Sequence, residues 1–160
     1  MIVPDRIASR RGFTAMGRRS VLPFDKHDNL KSFYQATYSD AQSLFKEMSR
    51  RPMLMINAKD WANNTIDYSC VVAVDEGAEV MQSLEVSKIP DQIYAVYKHN
   101  GPVSELGVFW EEIVESWNSN DEMKIADSPE LQVFCDDFDL ESDIGSVEVW
   151  IPVEARSGGH

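Results

Sequence analysis

In Ser146-Val147-Glu148-Val149-Trp150-Ile151-Pro152-Val153 the apolar residues recur at every second position. That is the period of a β-strand, and it sorts the side chains onto two faces. Val147, Val149, Ile151 and Val153 share one face, expected to pack under helices. Glu148 and Trp150 share the other. A wet surface would account for such a polar face. So would a pocket: an indole beside one carboxylate suits a flat organic cation, through ring stacking and charge pairing away from water. If Glu148 is buried without a cation its pKa rises, which would also fit it for proton transfer.

Working outward, Tyr68 to Val74 is a second strand-like run lying 79 residues before Val147 to Val153. Ile93-Tyr94-Ala95-Val96 lies 81 residues after Gly12-Phe13-Thr14-Ala15. The element order repeats with these offsets. Arg11 to Leu22 reads as a strand, in which Gly12 and Gly17 suit a bend or a close approach. Leu30 to Arg50 reads as a helix capped by Asp28 or Asn29 and ended by Pro52. Met53 to Asn57 and Ile66 to Val74 are strands, Asp75-Glu76-Gly77 is a turn, and Leu84 to Ile89 reads as an edge strand. The second round is a strand from Gln92 to His99, a turn at Asn100-Gly101-Pro102 and a helix from Val103 to Ser119. Strands over Leu131 to Asp136 and Val147 to Val153 complete it. Strand, helix, strand, strand is therefore given twice. Each half has too little core to stand alone, so the halves should pair and leave a ligand cleft on their pseudo-two-fold axis.

The 160 residues carry 43% hydrophobic and 26% charged side chains, the balance of an ordinary globular protein. A net charge of −12 opposes nucleic acid, whose binding depends on Lys and Arg neutralising phosphates. The basic cluster Arg6, Arg10, Arg11, Arg18 and Arg19 is short and reads as a solvated face, and residues 1–29 leave no room for a helix-turn-helix. No direct DNA binding is expected. No run of about 18 apolar residues is present to span a membrane, and no signal-peptide core opens the chain, so a bacterial, cytoplasmic protein is expected. Cys70 and Cys135 read as packed thiols, with no metal-ligand spacing around them and no cofactor motif elsewhere. Asp136, Asp137, Asp139, Glu141 and Asp143 lack the glycine-centred rhythm of a calcium loop and read as a solvated hairpin. Residues 156–160 read as a disordered tail, compatible with an expression-vector remnant.

Further site candidates are aromatic or soft. Phe109, Trp110, Ile113 and Trp117 form a stripe that reads as helix core, with Phe109 and Trp110 also able to wall a pocket. Met53, Met55, Trp61 and Tyr68 occupy the matching region of the first half and offer adaptable contacts or core filling. His99, at a strand end, reads as structural or exposed.

Four segments in order resemble the GyrI-like family, which also supplies the effector domains of AraC-type and MerR-type transcription regulators. They are Tyr94-Ala95-Val96-Tyr97-Lys98-His99-Asn100-Gly101-Pro102, Trp110-Glu111-Glu112-Ile113-Val114-Glu115-Ser116-Trp117, Asp127-Ser128-Pro129-Glu130-Leu131-Gln132-Val133-Phe134 and Val147 to Val153. The resemblance implies an α+β fold of duplicated βαββ halves with pseudo-two-fold symmetry. Its antiparallel sheet would carry helices on one face and a ligand cleft between the halves. It implies one domain over residues 1–155, with a first half about 8–90 and a second about 91–155. It also implies that Glu148 stands where many relatives place an acidic residue against cationic, lipophilic ligands. Relatives often have a glutamate and a tyrosine where this chain has Gln132 and Phe134, and several have a tyrosine at Trp150. The expected function is a stand-alone effector-binding domain for small lipophilic, cationic or aromatic molecules, without metal or cofactor. Its expected ligand-binding residues are Glu148, Trp150, Trp110, Phe109, Phe134, Tyr68, Tyr94, Met55 and Trp61. Two alternatives stand beside it. One is a small-molecule hydrolase with Glu148 as general base, for which Tyr68, Tyr94 or Tyr97 would have to supply the phenol. The other is an acidic module that binds a protein partner, as in gyrase-inhibiting relatives.

Overall fold

The computed structural model describes residues 3–23, 53–60, 62–63, 65–74, 84–102, 105–135, 137 and 144–156. The helix expected at 30–50, the turn at 75–77, Trp61, and Asp136, Asp139, Glu141 and Asp143 of the acidic loop lie outside them. The described chain forms β1 (Arg6–Arg10), β2 (Phe13–Pro23), β3 (Met53–Asp60), β4 (Thr65–Val74), β5 (Glu85–Ile89) and β6 (Gln92–Pro102). After α1 (Leu106–Asn118) come β7 (Met123–Ile125), β8 (Glu130–Phe134) and β9 (Ile144–Ala155). All strands pair antiparallel in one sheet of order β1-β6-β9-β8-β3-β4-β2-β5, with β7 beside β9. None of the described helices is long and apolar enough to cross a membrane.

Most expected strands are present, often extended by a few residues. Asn100-Gly101-Pro102 is not a turn: β6 runs through it, paired with Ile144 to Ser146 of β9, and Gly101 takes a φ of 144° there. Two strands were not foreseen, the short β7 and the arginine-rich β1.

The duplication is visible in the registers. Thr14 pairs with Val74 in the first half, as Ile93 pairs with Val153 in the second. These positions are 79 apart on both strands, so the offset of 81 expected between β2 and β6 is corrected to the 79 that also relates β4 to β9. The arms obey the same shift: Arg6 pairs with Val96, and Glu85 pairs with Gly17. Each arm lies across the other half. β1 leads into β2 but pairs with β6, while β5 leads into β6 but pairs with β2.

That exchange bends the sheet. Consecutive Cα atoms are about 3.8 Å apart, so Arg10 and Phe13 can be separated by no more than about 11 Å. In a flat sheet β1 and β2 would lie six strand spacings apart, roughly 29 Å. The sheet must therefore curl until its two ends meet. They meet at equivalent positions, where the Gly12 N–H donates to Asp91 Oδ1 at 2.6 Å.

Two layers of core follow. On the outer face, α1 lays Ile113, Trp117 and Phe109 over Ala95, Tyr97, Val147, Val149, Ile151 and Val153, as the alternation of β9 predicts. The Trp117 indole N–H donates to Tyr97 Oη at 2.7 Å within this layer. On the concave face Ala15, Met53, Met55, Val71, Ile89, Tyr94, Val96 and Leu131 form one buried cluster drawn from both ends of the sheet and its middle. Cys70 packs on the outer side with Leu54, Ile56 and Tyr68, and burial pushes its thiol up to about 12.

Gly17 marks the closest approach of β2 to β4. A Cβ built there would stand 1.8 Å from the Cys70 carbonyl oxygen, so only glycine lets the two strands keep their register. Gly17→Ala should lower stability by about 1–3 kcal/mol in urea unfolding, because backbone has to move. Tyr97→Phe should cost about 1–3 kcal/mol in the same assay, since it leaves a buried indole N–H without its acceptor.

Candidate functional site

The polar face of β9 turns to the concave side. Register pairs place Trp150 between Val96 and Leu131, and Glu148 between Lys98 and Val133. Met55 stands opposite Leu131 on β3, and Tyr94 meets Trp150 edge-on with ring centroids 5.6 Å apart. Glu148, Trp150, Tyr94 and Met55 are thus brought to one surface.

The other described candidates lie on the opposite, helix-covered side. Val133 and Leu131 occupy the concave positions of β8, so Phe134 faces outward and packs against the layer beneath α1. Phe109 and Trp110 pack on that same layer, and the Trp110 indole donates to Glu130 Oε2 at 2.8 Å. Tyr68 alternates with Ser69 and joins Leu54, Ile56 and Cys70 on the outer side. Burial, helped by the negative charge of Glu130, pushes its phenol up to about 12. His99 is buried, tilted against Phe109 with centroids 5.2 Å apart, and its Nε2 lies 3.2 Å from the Pro102 carbonyl oxygen.

Three concave residues escaped the sequence reading: Arg6, Arg10 and Phe13. β1 alternates, so Arg6, Ala8 and Arg10 share the concave face while Ile7 and Ser9 point away. Arg6 donates from Nη1 to Glu148 Oε2 at 3.0 Å and from Nη2 to Oε1 at 3.3 Å, a two-pronged pair. Its guanidinium carbon lies 5.3 Å from the Trp150 ring centroid. The Trp150 indole N–H also donates to Glu148 Oε1, at 3.3 Å.

Glu148 is therefore not a buried acid without a cation. The hydrogen bonds from Arg6 hold its carboxyl below the ordinary value, against the opposing effect of partial burial, with help from the Trp150 N–H and the charges of Arg6 and Lys98. The raised pKa expected of an unpaired Glu148 does not arise, because β1 brings a cation to it. Arg10 lies over Phe13 at 4.2 Å and over Trp150 at 5.7 Å, with its pKa lowered by burial. Across the sheet Arg19 forms a two-pronged pair with Asp67, which Asn57 also bonds. Asp137, the described member of the acidic loop, accepts from the Ser146 N–H and hydroxyl at 3.0 and 2.7 Å and so fastens the start of β9. No cluster of metal-ligating side chains occurs among the described residues.

Several solved structures share this architecture. SAV2435, determined bound to tetraphenylphosphonium, matches with a TM-score of 0.71 at 15% identity over 93% of both chains. The C-terminal domain of EcmrR matches with a TM-score of 0.69 at 14% identity, over 93% of this chain and 96% of that one. An integron cassette protein from the mobile metagenome of Vibrio cholerae matches with a TM-score of 0.54 at 13% identity, over 93% of this chain and 95% of that one. No curated protein sequence matches. These likenesses show a shared GyrI-like α+β fold. The sequence itself matches the family described as Cass2, integron-associated effector binding protein, over residues 6–153, and the chain belongs to that family of effector-binding domains.

Proposed function

We propose that the concave face binds small, flat, lipophilic cations, with Glu148 as their counter-ion and Trp150 as the surface on which they stack. The observation that carries this reading is the seat of Arg6. A planar delocalised cation already rests on the indole while pairing with the carboxylate. Arg6 is half-exposed on an edge strand, with 48% of its side-chain surface accessible against 22% for Glu148, so it can swing into water and yield its place. A ligand that buries more apolar surface than the arginine would win the exchange. The tetraphenylphosphonium bound by SAV2435 is also a lipophilic cation, tetrahedral rather than flat, with phenyl rings able to stack.

The pocket is proposed to include Tyr94 and Met55 with Glu148 and Trp150, inside a single unit of residues 1–155. Hydrolysis is the weaker reading: a carboxylate held below the ordinary range by an arginine is a poor general base at neutral pH.

A thermal-shift series with tetraphenylphosphonium and related cations tests the counter-ion role. The parent should be stabilised and Glu148→Gln should not; equal stabilisation of both would remove Glu148 from the proposal. Monitoring the compounds for breakdown in parallel separates receptor from hydrolase, since only a hydrolase consumes them. Arg6→Gln should tighten cation binding, by up to about fivefold for loss of an exposed competing pair.

The pH dependence has a definite sign. Glu148 has a folded pKa below its ordinary 4.5, so the Arg6–Glu148 pair contributes fully above 4.5 and is lost as pH falls through the lower folded value. Cation affinity measured by dye titration should accordingly be flat from neutrality down to 4.5 and decline below it.

A further inference from the structure

Arg10 is a concave-face cation that stands without a bonded carboxylate among the described residues. Arg6 has Glu148 and Arg19 has Asp67, whereas no carboxylate among the described residues bonds Arg10. Its guanidinium is instead held between aromatic rings, 4.2 Å from the centroid of Phe13 and 5.7 Å from that of Trp150. Burial depresses its pKa, with only a partial offset from Tyr94.

Tyr94 is the second incomplete group. It is fully buried, and its hydroxyl has no hydrogen-bond partner among the described residues. A buried hydroxyl left unpaired is costly, and such groups in native proteins are rare enough to need a reason. Tyr94 meets Trp150 edge-on and lies within electrostatic reach of Arg10. A guanidinium without an anion and a hydroxyl without an acceptor lack the same thing, a negatively charged oxygen.

The local charge balance points the same way. Around Trp150 the described residues of the concave face present Arg6, Arg10 and Lys98 against one carboxylate, that of Glu148. A simple cation that displaced Arg6 would still face Arg10 uncompensated. We infer that Arg10 and Tyr94 form an acceptor subsite beside the Glu148–Trp150 seat, and that the ligand is an aromatic molecule carrying a carboxylate as well as a cationic nitrogen. Arg6 and Arg10 lie 5.3 and 5.7 Å from the same indole ring, so one fused-ring ligand spans both ends. The cationic end of this inference rests on the function proposed above, whereas the carboxylate end rests on Arg10 and Tyr94 alone.

Two forms of one dye separate the two ends: a cationic rhodamine methyl ester and the free acid of the same rhodamine, titrated into the full chain and followed by fluorescence anisotropy. The free acid should bind about tenfold more tightly, as a new charge-assisted hydrogen bond allows. Arg10→Gln should abolish that preference and leave ester binding no weaker, while Arg10→Lys, which keeps the charge without the fork, should retain part of it. Tyr94→Phe should reduce acid binding severalfold while the unliganded protein melts at the same or a higher temperature, a combination that a merely structural tyrosine would not give. Glu148→Gln should weaken both dyes alike. Equal affinity of the parent for acid and ester, with dependence on Glu148 intact, overturns the acceptor subsite and leaves the cation seat standing. An acid preference lost in Arg10→Gln, with Glu148→Gln weakening neither dye, supports the subsite and overturns the cation seat.

Discussion

The two short links Arg11-Gly12 and Pro90-Asp91 govern this molecule, because each has to carry the chain from one end of an eight-strand path to the other. Nothing that long can be flat and still be joined so briefly at its ends. The curl that results converts one face of the sheet into a concave surface, on which Ala8 of β1 and Phe13 of β2 pack into the same cluster as Leu131 and Met55 from the middle. It also delivers Arg6 and Arg10 to a strand more than ninety residues away. The chemistry of the site is thus a product of connectivity before it is a product of composition.

The halves share a register but not a surface. Under the shift of 79 positions, Ala15 corresponds to Tyr94, Gly17 to Val96, Ser69 to Glu148 and Val71 to Trp150. At these four positions the second half supplies the larger side chains, three of them aromatic or charged, and the first half the smaller ones. The arms differ in sign of charge instead, since Arg6 corresponds to Glu85. A symmetric backbone with an asymmetric lining gives bulky groups on one side and room on the other, where a fully symmetric lining would crowd or empty the axis. Gly17 takes part in this for a different reason: it lets β2 come close to β4.

Much of this was legible from residue order. The valine face of β9, the stripe of α1 and the order of most of the described strands all follow from local periodicity, which is set by backbone geometry within a few residues. Placing Glu148 and Trp150 on the face away from the helix needed no more than parity along one strand. Parity does not carry from one strand to the next, because that requires register. Hence Phe134 and Tyr68, aromatic and plausible, could not be assigned a side until Leu131 was paired with Trp150 and Cys70 with Leu54. β1 was missed because two of its concave positions hold arginines, which hide an inward-facing stripe behind a basic composition. The exchange of arms left no local trace, for it is a choice between two partner strands of similar character.

The exchanged arms also bear on how the chain reaches its native state. β1 must pair with β6 across 82 to 90 residues of chain, from Arg10–Gln92 to Arg6–Val96, and β5 must pair back to β2 across 68 to 76, from Gly17–Glu85 to Phe13–Ile89. Contacts so distant in sequence are entropically late, whereas the β3–β4 hairpin forms from neighbouring residues. Docking of the arms therefore belongs to the end of folding. Until that moment the concave face lacks Arg6, Arg10 and Glu85 together, and neither half is finished without a strand that the other half's sequence leads into. Assembly of the binding surface and completion of the fold are the same event, so a chain that has not finished folding presents no site to occupy.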